Sequence, residues 1–365
     1  MKYTMLKEVC SIKMGQSPAS DSYNDNGKGV PFFQGNADFG ERYPVARKWC
    51  SAPLKMAEPE DILISVRAPI GALNYTKEEC CIGRGLAALT PNKSKVSPEF
   101  MFWLLKGKNT ELNSKGTGST FKAIGRKVLE EILVPDIGIE QQAEYSAILE
   151  KINGIIQLRK HELQKLDNLT KARFIEMFGD PISNPFGWQV KKLADVSVLI
   201  TNGNTPKGGS ENYVDEGIIF LRSQNVWRNR IDLDDVAYID IDTHAAMKKS
   251  SVHDKDILIT KTGRINTENS SLGRAALFHG TDNSANINGH IYLVRLDGTV
   301  IPEYVVAILT GEPYRRYIRK VCVGGIDKRQ INLDQVEDFP IILPPIELQE
   351  QFVTFVTQID KSKVV

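Results

Sequence analysis

From Ile139 to Phe178 the apolar residues recur with a period near 3.6, at Ile139, Tyr145, Ile148, Ile152, Ile155, Leu166 and Leu169, with a second row at Leu149, Ile156 and Leu163. The pattern predicts one long helix. No proline interrupts it, and Gly154, which costs about 1 kcal/mol relative to alanine, does not forbid it. Forty residues rising 1.5 Å each make a rod of ~60 Å, longer than a small domain needs, so its apolar stripe is expected to face another helix. The stop lies in "GDPISNPFGW", where Gly179 follows the last apolar turn and Pro181 stands beyond it. Elsewhere the pattern changes to short β-branched runs, Ile62 to Ser65, Ile257 to Thr260 and Ile291 to Arg295, bounded by Gly, Asn, Asp and Pro as strands and turns are. Pro98 and Pro302, in "PEF" and "PEY", suit the first turn of short helices.

These pieces occur twice, in the same order. "EDILISVRAPIGAL" answers "KDILITKTGRINTENSSLGRAAL", "SPEFMFWLL" answers "IPEYVVAIL", "ILVPD" answers "IILPP", and "IEQQAEYSAILEKIN" answers "IELQEQFVTFVTQID". The expected class is α+β, with two similar domains of short strands and helices, each followed by a long helix. The expected boundaries are a first domain at 1–136, a long helix at 137–180, a linker at 181–187, a second domain at 188–345 and a shorter second helix at 346–365. Phe352, Phe355, Val356 and Ile359 share one face of that second helix.

Composition adds exclusions. A chain of 365 residues, 41% hydrophobic and 25% charged, is ordinary for a globular protein. No apolar run approaches the ~20 residues of a membrane span, and the cytoplasm is the expected location. Cys10, Cys50, Cys80, Cys81 and Cys322 form no CxxC pair, and buried reduced thiols are expected. His161, His244, His253, His279 and His290 lack paired metal spacing, and the acidic run "DLDDVAYIDID" fits no calcium loop. "GTGSTF" lacks the ending of a phosphate loop, "NPFG" lacks a second proline and a nucleotide turn, and no HExxH or GxSxG is present. A net charge of +1 is low for a protein gripping nucleic acid by bulk charge, so any such role rests on local basic loops or a helper subunit.

The doubled layout, with "DILISVRAPIG", "GSTFKAIGRKVLEEILVPD", "LDNLTKARFIEMFGDP" and "NPFGWQVKKLADV", resembles the specificity subunit of type I restriction-modification enzymes over nearly the whole chain. The resemblance implies two target-recognition domains that read the halves of a split double-stranded DNA target. It also implies two helices packed as an antiparallel coiled coil with pseudo-twofold symmetry. Two methyltransferase subunits would dock there, with restriction subunits joining the complex. Chemistry would then belong to the partners, which would hold S-adenosylmethionine, ATP and magnesium, and this chain would be noncatalytic with no cofactor of its own. A rod of ~60 Å spans at most about 18 base-pair steps, so helix length would set the unread gap. The family plan has a second helix as long as the first; here it is expected to be truncated, so that Leu163, Leu166, Leu169, Phe174 and Met177 lose part of their partner surface and self-association through the unpaired stretch is expected. The alternative is a two-domain coiled-coil scaffold that binds proteins without reading DNA.

Base edges are read in the major groove by Arg or Lys on guanine and by Asn or Gln on adenine, usually from loops on a rigid scaffold. In the first domain the candidates are Lys13, Gln16, Ser17, Gln34, Asn36, Arg67, Arg84, Lys115, Thr117, Ser119 and Lys122. In the second they are Asn204, Thr205, Lys207, Arg222, Gln224, Asn225, Lys261, Arg264, Asn288, His290, Lys328 and Arg329. Any one of them could equally be a solvated charge or a turn former.

Overall fold

Ile62–Ser65 and Ile257–Thr260 are buried at every position, which a strand with one wet face cannot be, so each has to lie inside a sheet covered on both sides. The computed structural model, which describes residues 2–118, 122–267 and 269–364, places them so. The first lies in a four-stranded antiparallel sheet of spatial order Cys10–Met14, Leu86–Pro91, Ile62–Ser65, Leu73–Tyr75. The second lies in a sheet of order Ser197–Asn202, Ile291–Leu296, Ile257–Thr260, Ala275–Leu277, also antiparallel. Register matches as well, with Ile64 opposite Ala87 and Ile259 opposite Tyr292.

The correspondence extends further. Val30–Phe33 pairs in parallel with Cys80–Ile82, and Ile218–Leu221 with Ala285–Ile287. Tyr3–Met5 pairs with Leu133–Pro135, and Gln189–Lys192 with Pro340–Leu343, so the first and last strands of each globular part close on one another. The echo in the sequence is therefore a repeat of topology.

Helices cover one face of each four-stranded sheet. Pro98–Gly107 begins with the Ser97 side chain accepting from the Phe100 N–H, and buries Phe100, Met101 and Leu105 against Ile62, Ile64 and Leu89. Pro302–Thr310 buries Tyr304, Val305, Ile308 and Leu309 against Ile257, Ile259 and Val294. Each such side chain contributes roughly 1.5–3 kcal/mol by leaving water.

The long helix is unbroken over Ile139–Phe178. Gly179 ends it at φ +76°, a left-handed value that favours glycine, and the Trp188 indole N–H donates to the Phe178 carbonyl at 3.0 Å. The chain divides into two compact units, Met1–Arg159 and Lys160–Val365, with the division inside this helix. A second helix occupies Ile346–Val364. Both helices start with the same anchor. The buried amide of Gln142 accepts from the Ser97 N–H and donates to the carbonyls of Lys95 and Ile137; that of Gln349 accepts from the Ile301 N–H and donates to the Pro344 carbonyl.

In the second unit the two helices meet through Asp167 and Lys363 at 2.8 Å, Arg173 over the Phe355 ring at 5.9 Å, and Phe174 and Phe178 against Phe352. Residue numbers rise along one helix as they fall along the other. Of the residues expected to lose their partner surface, Leu169 is 48% exposed, but Phe174 is only 7% exposed and Met177 packs against the same core, because the second helix covers this end of the long helix. The exposed apolar row lies further upstream. Ile148 is 48% exposed, Ile152 48% and Ile155 66%.

All five cysteines are free and buried, and burial pushes the Cys10 and Cys80 thiols up to about 12, so neither is a nucleophile near neutral pH. Among the described residues no helix is long and apolar enough to cross a membrane.

Candidate nucleic-acid interface

In each unit one end of the four-stranded sheet gathers loops from distant parts of the chain. In the first unit the Gly15 N–H donates to the Leu86 carbonyl at 2.9 Å, Gln16 N–H to Ile82 at 3.0 Å, and Gly85 N–H to Gln34 at 3.2 Å. The Val66 N–H donates to Gly85, the Ala68 N–H to Lys122, and the Arg84 N–H to the Ser17 hydroxyl. Arg67 and Thr117 each form a bridge with Ala123. These bonds bring Gln16, Ser17, Gln34, Arg67, Arg84, Thr117 and Lys122 together, all exposed except the half-buried Ser17.

The crossing is tight enough to dictate residue type. A Cβ on Gly15 would stand 2.2 Å from the Gly83 carbonyl oxygen, and one on Gly85 2.4 Å from that of Gln34.

The second unit repeats the arrangement with other side chains. The Gly203 N–H donates to Ile291, Asn288 N–H to Leu221, Lys261 N–H to His290, and Ile331 N–H to Lys261. A Cβ on Gly203 would lie 2.2 Å from the Ile287 oxygen. Thr262–Arg264 pairs with Lys328–Gln330, so Asn204, Lys261, Arg264, Asn288, His290, Lys328 and Arg329 share one loop cluster, and Thr205 and Lys207 follow in the same exposed loop.

Several candidates are engaged inside the fold instead. Asn225 is only 2% exposed; its amide accepts from the Arg222 N–H and donates to the carbonyls of Asp232 and Asp235. The side chains of Arg222 and Gln224 both bind the Asp235 carboxylate, so this trio organises the acidic segment, a pairing invisible without the turn that joins them. Asp240, in the same acidic run, caps the helix Ile241–Ala246 through the Thr243 N–H. Lys13 donates to the Met56 carbonyl at 2.6 Å. Lys115, with Lys108, bonds Glu111 and pulls that carboxyl down to about 2. Asn36 opens a short turn, Asn36–Asp38, half-buried beside Gln34. Arg264 sits 3.4 Å from Asp327, and Arg329 donates to the Gly325 carbonyl. Ser119 lies outside the described residues.

The structure also presents cations outside the candidate loops. Glu312–Val321 carries Arg315, Arg316, Arg319 and Lys320, and the hairpin of Val226–Trp227 with Arg230–Ile231 carries Arg228 and Arg230. "YRRYIRK", with Arg315 and Arg319 four apart on a helix face, was the signal available.

The family described as Type I restriction modification DNA specificity domain matches residues 1–168 and 185–364, and the chain belongs to it. The putative type I restriction enzyme MjaX specificity subunit of Methanocaldococcus jannaschii is 43% identical over 160 residues, 44% of this chain. That match spans 38% of the relative's own length. The MjaIX specificity subunit of the same organism is 22% identical over 379 residues, covering 95% of this chain and 84% of that one. A type I restriction-modification S subunit from M. genitalium aligns with a TM-score of 0.56 at 13% identity, over 99% of this chain and 90% of that one, a likeness of fold.

Proposed function

We propose that the chain is the noncatalytic DNA-specificity subunit of a type I restriction-modification complex, reading a bipartite, asymmetric duplex target. The supporting observation is the twice-built loop cluster, one in each matched region, on the same crossing of strands. The clusters differ in what they offer. The first presents Gln16, Gln34, Arg67 and Arg84, the second Asn204, Asn288, His290 and Lys328, and different donor sets read different bases. The long helix, ~60 Å at 1.5 Å per residue, acts as the spacer, and an unread gap of at most about 18 base pairs separates the half-sites.

On this reading two methyltransferase subunits and the restriction subunits supply S-adenosylmethionine, ATP and magnesium chemistry. Mapping modified adenines across the genome with and without the gene tests it. One split, asymmetric motif is expected to lose its methylation, and an unchanged pattern refutes the assignment.

The uncovered row Ile148, Ile152 and Ile155 is the proposed seat of a methyltransferase subunit. Without that partner the chain is expected to self-associate by light scattering. Substituting Ile152→Glu together with Ile155→Glu, both at exposed sites, should leave thermal unfolding near that of the parent and abolish co-purification with the methyltransferase. Undiminished co-purification removes this face from the proposal.

A further inference from the structure

Within the second unit a cavity of about 330 Å³ is lined by Trp227, Arg228, Arg230, Asn269, Ser270 and Arg274. Arg274, 8% exposed, donates to the backbone carbonyls of Ser270 and Asn269 and lies 4.0 Å from the centroid of the Trp227 ring. None of these partners is a carboxylate, so its charge is buried without a counterion among the described residues. Arg230 is 5.8 Å from the same ring and reaches Asp232 only at 3.5 Å.

Arg228 has no ion pair among the described residues. Burial, and then the nearby Arg315 guanidinium, lower its pKa, with Arg274 and Arg319 acting in the same direction and Glu312 opposing them. Glu312 is itself bonded to Arg315 at 3.0 Å. Like charges crowded into a partly desolvated space raise the energy of the empty site and favour an anion that would relieve it.

The first unit makes a useful contrast. There Arg42, on the connection that follows Val30–Phe33, also lies over an aromatic ring, 5.4 Å from that of Tyr75, but its charge is met by Glu150 at 2.7 Å. In the second unit Arg228 and Arg274 have no such carboxylate partner among the described residues.

Position narrows the anion. A Cβ on Gly263 would stand 2.7 Å from the Ser270 hydroxyl and 2.2 Å from the Leu272 nitrogen, so the cavity wall touches the strand that carries Arg264 and pairs with Lys328. Guanidinium forks match the oxygens of a phosphate, and the Ser270 hydroxyl, which accepts from the Leu272 N–H, still has its own proton to donate.

We propose that this cavity seats a phosphate group and, resting on the DNA-reading assignment above, that the group is a backbone phosphodiester beside the second half-site. Such a contact positions the duplex and carries no base preference.

The test uses the full chain and fluorescently labelled duplexes, target and scrambled, titrated at several salt concentrations. Arg228→Gln, at an exposed residue, is the probe, with Lys93→Gln as a variant of equal charge change in the first unit. For Arg228→Gln the slope of log affinity against log salt is expected to become shallower by about one, with the same fold loss on both duplexes and no such change for Lys93→Gln. If the parent binds duplex and neither Arg228→Gln nor Arg228→Glu alters slope or affinity, the proposal is overturned. If the parent binds no duplex, the DNA-reading assignment fails separately, and equilibrium dialysis with inorganic phosphate decides the cavity. Uptake by the parent that Arg228→Gln loses identifies a free-phosphate site; no uptake overturns the proposal.

Discussion

Phe352→Ala is expected to lower the unfolding free energy of the second unit by about 3–5 kcal/mol, the usual range for emptying a buried phenylalanine site. Phe352 is 1% exposed, and its ring stands edge-on to Phe174 at 5.4 Å and to Phe178 at 5.6 Å. Phe178 in turn meets Tyr304 at 5.0 Å, so the ring joins both helices to the helix Pro302–Thr310 and the core beneath it. The truncation leaves a void among rigid aromatics that cannot close by rotamer changes alone. Urea unfolding should show a lower midpoint at nearly constant slope, whereas Phe355→Ala, at a half-buried site on the same helix, should cost clearly less. Equal shifts for the two would show that this cluster is not what fastens the helix.

Asp256→Ala should cost about 3 kcal/mol, the lower part of the range for breaking a buried ion pair, because Arg295 keeps some contact with solvent. Asp256 is 1% exposed and binds Arg295 through two bonds, of 2.8 and 2.7 Å, while also accepting from the His253 N–H at 2.7 Å. Arg295 keeps 26% of its side chain exposed. Replacing both partners, Asp256→Leu with Arg295→Leu, should recover most of the loss, since the penalty comes from stranding one charge. A double-mutant cycle followed by thermal unfolding measures the coupling, and additive losses would refute it. The first unit differs at this point. Asp61 holds the corresponding place before Ile62 and is equally buried, but it accepts from the Glu58 N–H and has no ion pair among the described residues.

The parts of this architecture that repeat at short range are legible in the sequence. The period of the apolar residues and the pair Gly179 and Pro181 define the long helix, and "DILIS" with "DILIT" mark the central strands, because each signal is complete within a few residues. The topological doubling is legible for the same reason, since order along the chain survives even where sequence similarity is weak. What the sequence conceals depends on partners far along the chain. Arg274 looks like an ordinary turn residue in "SSLGRAAL" until folding lays it against Trp227, and Asn225 looks like a base reader until its amide is seen bonded three ways inside its turn. The extent of helix pairing was similarly hidden: an apolar stripe announces that a partner surface is needed but not which molecule supplies it.

The glycine crossings divide each unit into what evolution can alter and what it must leave alone. At Gly15, Gly85 and Gly203 the backbones approach so closely that any side chain would push a strand aside, whereas Gln16, Gln34 and Asn204 next to them project from the surface. If the proposed function holds, preference for a new sequence would arise by exchange at the tips, one residue at a time, while the framework beneath keeps its shape and stability.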